Sequence, residues 1–263
     1  MGGEYIPICR LRLKCGRELD YNNTIYAYAN AVMPQEETNM PMNIAMDGPV
    51  GAGKSSIADE VAKRLGILHL DTGAMYRTFG LYALRTGADM NDENAMAELI
   101  AGADVSVRYE GGSQRTLLFG EDVSDLIRTG EVSAAASAVS RFGAVRRHMV
   151  SLQQALAKTT DMLIDGRDAG TVILPDSPCK IFLTASAEER ARRRWLQNTQ
   201  KGDMTPYEQV LAELNARDEQ DMNRKTDPLR MAEDAILVDS THMSVEEVVD
   251  HIVSLVEGVY GKR

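Results

Sequence analysis

The sequence predicts an α/β protein in which five parallel strands form a sheet covered by helices on both faces. Five short apolar segments, at residues 43–47, 67–70, 162–165, 180–184 and 235–239, alternate with segments of helical pattern. Apolar and polar residues do not alternate within these segments, which is typical of parallel strands buried on both faces. A glycine-rich loop follows the first segment and a helix follows the loop, so the chain contains a strand–loop–helix unit.

Length and composition restrict the classes of protein to which this chain can belong. Its 263 residues are enough for one large α/β domain with insertions or for two smaller domains. The net charge of −10 argues against a nucleic-acid binder, although clustered arginines can form a positive pocket in an acidic protein. Three cysteines without metal-ligand spacing, and no apolar run as long as a membrane span, favour a cytoplasmic protein. We expect it to act as a monomer.

Residues 1–42 differ from the rest of the chain because they show no sustained periodicity. Basic residues between positions 10 and 17 interrupt the apolar stretches, so this segment is not a signal peptide. We interpret it as an N-terminal extension that is poorly ordered or not native, with Met40 or Met42 as alternative starts. Residues 43–263 are expected to form the functional domain.

Residues 48–56, GPVGAGKSS, fit the phosphate-binding pattern G-x-x-x-x-G-K-[ST]. Glycines let the backbone wrap closely around phosphates, while amide N–H groups and the N-terminus of the following helix point at the anion. Lys54 would neutralise the β and γ phosphates, and Ser55 would offer its hydroxyl to Mg²⁺. The expected contacts of a triphosphate are Gly48, Pro49, Val50, Gly51, Ala52, Gly53, Lys54, Ser55 and Ser56.

Asp165 ends the apolar strand at residues 162–165. An acid at the carboxyl end of a strand beside a phosphate loop can hold Mg²⁺, often through water. A strand-ending aspartate in an ordinary turn is the alternative.

The middle of the chain combines helices with an inserted hairpin. A helix is predicted from about 72 to 85, with Thr72 as its N-cap. Residues 104–109 and 114–119 have strand patterns around a glycine-containing turn, which predicts a β-hairpin that interrupts the β/α alternation. A helical stretch at about 132–158 follows.

Helix-start signals recur towards the C-terminus. Ser186 and Glu189 form a predicted capping box, and so do Ser244 and Glu247. Between them, Pro206 is expected at the first position of a further helix.

The two helices that follow residue 186 carry charged residues at helical spacing. These residues are Arg190, Arg193 and Arg194 in the first helix and Arg217, Asp221 and Arg224 in the second. Each set alone could be a solvated face or a salt-bridge ladder. Downstream of a phosphate loop, the arginines are also suited to offset the negative charge that phosphoryl transfer must stabilise.

From about residue 43 to 259 the chain resembles the bacterial cytidylate kinases, a family of nucleoside monophosphate kinases. The resemblance rests on GPVGAGKSS at 48–56, LDTGAMYR at 70–77, EDVSDLIRTGEVSAAASAVSRFGAVR at 121–146, IDGRDAGTVILPDSPCKIFLTASAEERARRR at 164–194 and ARDEQDMNR at 216–224. It implies a three-layer P-loop kinase fold and transfer of phosphate from ATP, with Mg²⁺, to CMP or dCMP. It also implies a monophosphate-binding part at about 72–158, with an insertion at about 99–136, and a short helical lid at about 190–206.

The resemblance also implies roles for single residues. Thr72, often Ser in the family, would bond the base or phosphate, Tyr76 would pack near the nucleotide, and Arg77 would bind its phosphate. Further expected contacts are Ser137, Arg146 and Asp168 at the base, Arg167 on the phosphate side, and Arg217, Asp221 and Arg224 around the monophosphate and sugar. The groups expected to act in catalysis are Lys54, Asp168 and the lid arginines Arg190, Arg193 and Arg194.

The acceptor in such a reaction is an ionised phosphate oxygen, so no general base is required. His69, His148, His242 and His251 lie in no motif, and we interpret them as surface or packing residues. Two alternatives remain at this point. One is a P-loop kinase for another small acceptor such as UMP, AMP or shikimate. The other is a slow nucleotide-hydrolysing switch, which the absence of an obvious [NT]-K-x-D stretch disfavours.

Overall fold

A computed structural model describes residues 41–262, which form strands, α-helices and the loops between them. The strands are β1 (Asn43–Asp47), β2 (Leu68–Asp71), β3 (Val105–Glu110), β4 (Ser113–Leu118), β5 (Glu121–Asp122), β6 (Met162–Asp165), β7 (Cys179–Thr184) and β8 (Ile236–Asp239). The helices are α1 (Lys54–Leu65), α2 (Thr72–Thr86), α3 (Glu93–Ala101), α4 (Gly130–Val139), α5 (Gly143–Ala157), α6 (Ala187–Gln200), α7 (Tyr207–Asn223) and α8 (Val245–Tyr260). The interpretation of residues 1–42 falls almost entirely outside the described residues.

The central sheet contains five parallel strands in the order β2-β6-β1-β7-β8, which confirms the predicted fold class. The strand before the phosphate loop, β1, lies in the middle. Met46 of β1 and Asp71 of β2 both pair with Asp165 of β6. The loops that follow these three strands therefore meet at one edge of the sheet, where ligands bind in open α/β folds.

Each face of the sheet is covered by a different set of helices. Ile44 of β1 belongs to an apolar cluster with Val61 of α1 and Ile252 of α8. Ala45, the next residue, belongs to the opposite cluster, which includes Phe79 of α2 and Met149 of α5 among its members. Successive residues of a strand face opposite sides, so a continuous apolar strand is what this three-layer arrangement requires.

The predicted hairpin is present as β3 and β4, which pair antiparallel, and β5 extends it to a small three-stranded sheet. It is fixed to the end of β2 by hydrogen bonds from Tyr109 and Gln114. The Tyr109 hydroxyl donates to the His69 carbonyl at 3.1 Å, and the Asp71 N–H donates to Gln114 Oε1 at 2.8 Å. The hairpin thus covers the edge of the sheet beside β2. The subdomain limits implied by the resemblance remain a prediction.

The N-cap prediction at Thr72 is wrong by one residue. Asp71 is the N-cap, its side chain accepts the Ala74 N–H at 3.0 Å, and Thr72 is the first residue of α2. Both residue types cap helices well, so the sequence pattern alone does not choose between them.

The other helix starts agree with the predictions in part. Ser244 and Glu247 form the complete capping box. Ser186 accepts the Glu189 N–H at 3.2 Å, but the Glu189 side chain bonds arginines of its own helix instead of closing the box. Pro206 is the N-cap of α7, one position earlier than expected. Within residues 41–262, no helix is both long enough and apolar enough to cross a bilayer.

Gly48 is the position of the phosphate loop where a side chain is most clearly excluded. A Cβ at Gly48 would lie 1.9 Å from the Leu183 carbonyl oxygen of β7, and the residue has φ +150°. We expect Gly48→Ala to lower the free energy of unfolding by about 2 kcal/mol or more, because the loop must move away from β7. Urea denaturation measures this. Gly102→Ala is the control, since a Cβ there meets only one atom, 4.0 Å away, and an unchanged Gly48→Ala variant would contradict the close approach.

Candidate active site

The phosphate loop folds over its own lysine. Gly53 has φ +90° and caps α1, which begins at Lys54. The buried Lys54 ammonium donates to the Gly48 carbonyl at 2.8 Å and to the Pro49 carbonyl at 2.9 Å. Burial lowers the pKa of Lys54 to about 7, and the positive charge of Arg167 acts in the same direction. An anion in the loop would oppose both effects and stabilise the charged lysine.

Asp47, which the sequence analysis did not select, fastens β1 to the segment after β6. Its two carboxylate oxygens accept the N–H groups of Ala169 and Gly170, each at 2.7 Å. Burial raises the pKa of Asp47 to about 6. These bonds fix the backbone just beyond Arg167 and Asp168, so Asp47 orients two expected substrate contacts. Asp47 also ends an apolar strand, so the sequence feature that led to Asp165 could have led to Asp47 as well.

Asp165 lies buried at the end of β6, beside a histidine. The Nε2 atom of His69 is 3.3 Å from Asp165 Oδ2, and its Nδ1 is 2.5 Å from Asp59 Oδ1 on α1. The nearby Ser55 hydroxyl also acts to lower the pKa of Asp165. His69 is therefore more than the packing residue that the sequence suggested, because it connects the helix of the phosphate loop to the expected Mg²⁺ ligand.

The charges of this group stabilise one another. Burial opposes a charged imidazole, but the nearby Asp165 carboxylate and the hydrogen-bonded Asp59 carboxylate outweigh it and raise the pKa of His69 to about 10. Burial likewise acts to raise the pKa of Asp165, yet His69 holds that pKa below its ordinary value. At neutral pH the pair is an ion pair.

Four arginines come together next to the phosphate loop. Burial lowers the pKa of Arg217, and the nearby positive charges of Arg167, Arg77 and Arg194 lower it further. The Nε atom of Arg217 is buried without a hydrogen-bond partner among the described residues. This local concentration of positive charge is suited to binding an anion.

Asp221 does not simply complete a salt-bridge ladder along α7. It accepts a hydrogen bond from Arg167 Nε at 2.9 Å and lies 3.6 Å from Arg224 Nη1. Asp221 thus holds an arginine from the segment after β6 in place, while Arg217 keeps unused hydrogen-bonding capacity.

A second buried cluster surrounds Arg146 of α5. Arg146 forms a short ion pair with Asp168, and its Nε donates to Asp227 Oδ2 at 2.8 Å. The guanidinium also lies 5.5 Å from the centre of the Tyr76 ring. Arg224 Nη2 is 3.7 Å from Asp168 Oδ1 and has no hydrogen-bond partner in the described chain. Asp227 was not selected from the sequence, where it is one acid in a loop.

The remaining predicted contacts lie around these clusters. The Thr72 hydroxyl donates to the Asp165 carbonyl at 2.7 Å, and Arg77 Nη2 donates to Asp71 Oδ2 at 2.7 Å. Ser137 is half-buried on α4, where its hydroxyl bonds Gln220 of α7 at 3.3 Å. The buried Tyr76 hydroxyl lacks a hydrogen-bond partner within residues 41–262, and burial raises the pKa of Tyr76.

Comparison with known proteins assigns the chain to a family. A family model described as cytidylate kinase matches residues 44–258. The chain belongs to the cytidylate kinase family. A cytidylate kinase of Caldicellulosiruptor saccharolyticus is 48% identical over 222 residues, covering 84% of this chain and 98% of that protein. One of Bacillus cereus is 44% identical over 221 residues, with coverage of 84% and 98%, and one of Pseudomonas aeruginosa is 48% identical over 216 residues, with coverage of 81% and 94%.

The three arginines that the cytidylate kinase resemblance assigned to a lid occupy different environments. Arg190 is buried, and its guanidinium bonds the carbonyls of Val50 at 2.8 Å and Ala185 at 3.0 Å. Arg193 donates to the Ser240 carbonyl at 2.6 Å. Arg194 is exposed and forms no hydrogen bond or ion pair with the described residues. The first turns of α6 are thus fastened to the sheet, and Arg194 is the arginine left free to move.

The His69 ion pair predicts a pH-dependent stability. Because the folded-state pKa of about 10 exceeds the unfolded value of about 6.5, the folded state holds more protons between these values, and the free energy of unfolding falls as pH rises from 7 to 10. His69→Gln should remove this slope in urea denaturation without added metal. His251→Gln, at an exposed position of α8, is the control. A slope that persists in His69→Gln would rule out the ion pair as its source.

Proposed function

We propose that this protein transfers the γ-phosphoryl group of ATP to CMP or dCMP, which gives ADP and CDP or dCDP. The observation that carries the proposal is unused hydrogen-bonding capacity in buried arginines. Arg217 Nε and Arg224 Nη2 lack partners among the described residues, although unpaired buried polar atoms are costly. Their helix also carries Asp221, which holds Arg167 in the adjacent cluster. An acceptor phosphate and its sugar would satisfy these groups.

The acceptor phosphate would bind where positive charge is concentrated. Arg77, Arg167 and Arg217 would contact its oxygens, and Asp221 would keep Arg167 in place while accepting the ribose hydroxyls. This phosphate is already ionised near neutral pH, so no side chain has to remove a proton. Catalysis then consists of aligning two polyanions and offsetting their repulsion.

The base would be recognised by Asp168 and Arg146. Cytosine presents an amino donor beside a ring-nitrogen acceptor, which complements a carboxylate beside a guanidinium. Uracil presents the reverse pattern and would direct a carbonyl oxygen at the carboxylate. A site built around a hydrogen bond discriminates strongly against a ligand that cannot form it. Ser137, Thr72 and Tyr76 are proposed as additional contacts of this nucleotide.

The donor would bind to the loop at residues 48–56, with Lys54 on the β and γ phosphates. Mg²⁺ would be held by Ser55 and by Asp165, through water, and when bound would supply positive charge that offsets the negative charge of the phosphates. The fit is supported by Asp165 Oδ2, which is buried and forms no hydrogen bond with the described residues, although the His69 ring lies 3.3 Å away. No cluster of three or more metal-binding side chains occurs within residues 41–262, which suits an ion bound mainly by substrate phosphates.

The lid arginines would act unequally. Arg194 would reach the transferring phosphate as α6 and α7 close, whereas Arg190 and Arg193 would hold the base of the lid. Closure would exclude water, which otherwise could accept the phosphoryl group.

We also propose that the protein acts as a cytoplasmic monomer that binds neither nucleic acid nor membranes, in keeping with its net charge of −10 and its cysteine content.

The substrate assignment is tested by measuring ADP release with a panel of acceptors. CMP and dCMP should have kcat/KM values far above those of UMP, AMP and shikimate. Turnover of UMP, AMP or shikimate equal to or better than that of CMP would contradict the assignment of CMP or dCMP as the acceptor. ADP release that does not depend on any acceptor would indicate a hydrolase.

Asp168→Asn tests base recognition. An amide can rotate to donate to the uracil carbonyl, so we expect kcat/KM for CMP to fall by about 100-fold and the CMP-to-UMP preference to shrink. Asp176→Asn, an exposed position on the same loop region, should change neither value. If Asp168→Asn kept the full CMP preference, Asp168 would not be the group that reads the base.

Lys54→Ala tests the donor site. Loss of the ammonium should lower kcat by about 100- to 1,000-fold, as for other electrostatic groups aimed at a transition state. Lys63→Ala, an exposed position of the same helix, is the matched control in the same ADP-release assay. Near-normal turnover of Lys54→Ala would remove the loop from the mechanism.

A further inference from the structure

Asp218 of α7 connects three parts of the donor side of the molecule. It is buried, and its Oδ1 accepts the Val50 N–H at 3.0 Å. Its Oδ2 forms a short ion pair with Arg190 of α6. The same Arg190 nitrogen donates to the Val50 carbonyl at 2.8 Å. Both backbone polar groups of Val50, near the tip of the phosphate loop, are therefore held by this one ion pair.

Apolar packing fixes the same contact. Val50 packs against a small cluster that includes Ala191 of α6 and Leu214 of α7. A Cβ at Gly51 would lie 3.3 Å from the Cβ of Arg190, so the loop and α6 approach closely. The loop tip, the start of α6 and the middle of α7 therefore behave as one packed unit.

The Asp218–Arg190 pair is self-contained. Both side chains are more than nine-tenths buried, and a buried charge that loses its partner is strongly unfavourable. Asp218 forms no hydrogen bond or ion pair with Arg217, Asp221 or Arg224 in the described chain. The contacts of the pair therefore lie on the donor side of the site, and Asp218 reaches the acceptor cluster only through the action of its charge on Arg167.

We propose that Asp218 is a positioning residue that holds the phosphate loop in the shape that binds the donor nucleotide. It acts through Val50 and Arg190 and does not touch the nucleotide. The proposal rests on the proposed function for the identity of the donor as an adenine nucleotide. A preformed loop binds phosphate without the cost of ordering its backbone, so loss of the pair weakens donor binding selectively.

Asp218→Asn is the most informative variant. Its side-chain oxygen can still accept the Val50 N–H, but its amide group cannot pair with the Arg190 charge. ADP binding in the presence of Mg²⁺, measured by calorimetry, should weaken about tenfold or more, which is the size expected for a lost charged hydrogen bond. CMP binding, measured separately, should change less than about threefold. Glu219→Gln removes the same charge at the next, exposed position and should leave both affinities unchanged.

Arg190→Lys provides a second test if Asp218→Asn folds poorly. The lysine keeps a positive charge beside Asp218, but a single ammonium cannot reproduce the three contacts of the guanidinium with Asp218, Val50 and Ala185. The same selective loss of ADP affinity is expected. Thermal unfolding of each variant, measured without ligand, shows that the binding data come from folded protein.

The outcomes separate this proposal from the proposed function. A fall in ADP and CMP affinity of equal size would indicate a general structural role and overturn the positioning role. Wild-type ADP affinity in both folded variants would overturn it as well. If the wild-type protein binds ADP with the predicted sensitivity to Asp218 but does not phosphorylate CMP, the acceptor assignment fails and the positioning role stands.

Discussion

Buried arginines held by carboxylates are the constraint on which the site depends. Each of three ion pairs joins elements that are distant in the chain: Arg146 with Asp168, Arg167 with Asp221, and Arg190 with Asp218. A buried charge without a partner is strongly unfavourable, so these pairs allow cations to be packed side by side. Arg217 remains incompletely paired, and its lowered pKa records the cost. A phosphate bound there, as proposed, would relieve that cost.

The parallel sheet brings three aspartates to one of its edges. The strands β2, β6 and β1 are neighbours, and they end in Asp71, Asp165 and Asp47. These three carboxylates have different partners. Asp71 caps α2 and binds Arg77, Asp165 pairs with His69, and Asp47 holds two backbone amides. An aspartate at the carboxyl end of a strand thus has a different role in each of these three strands, and the groups that it contacts determine that role.

The sequence predicted the features that depend on local pattern. The sheet strands, the phosphate loop and the hairpin are contained in short segments whose residues decide their own conformation. Asp218 was missed because its partner Val50 is 168 residues away. His69 was taken for a packing residue because Asp165 adjoins it only after β2 and β6 pair, and Asp59 only after α1 packs beside β2. Helical spacing placed Arg190 and Arg194 on one face of α6, but only packing against α7 decides that Arg190 is buried and Arg194 exposed.

We propose that donor and acceptor phosphates meet in one continuous, positively charged site. A bisubstrate compound that joins cytidine and adenosine through five phosphates tests this directly by calorimetry. If the two sites are contiguous, its affinity should exceed that of ADP or CMP by about 100-fold or more, because the second half binds at high effective concentration. The uridine counterpart should bind more weakly. Affinity for the cytidine compound no greater than that for ADP alone would contradict the account.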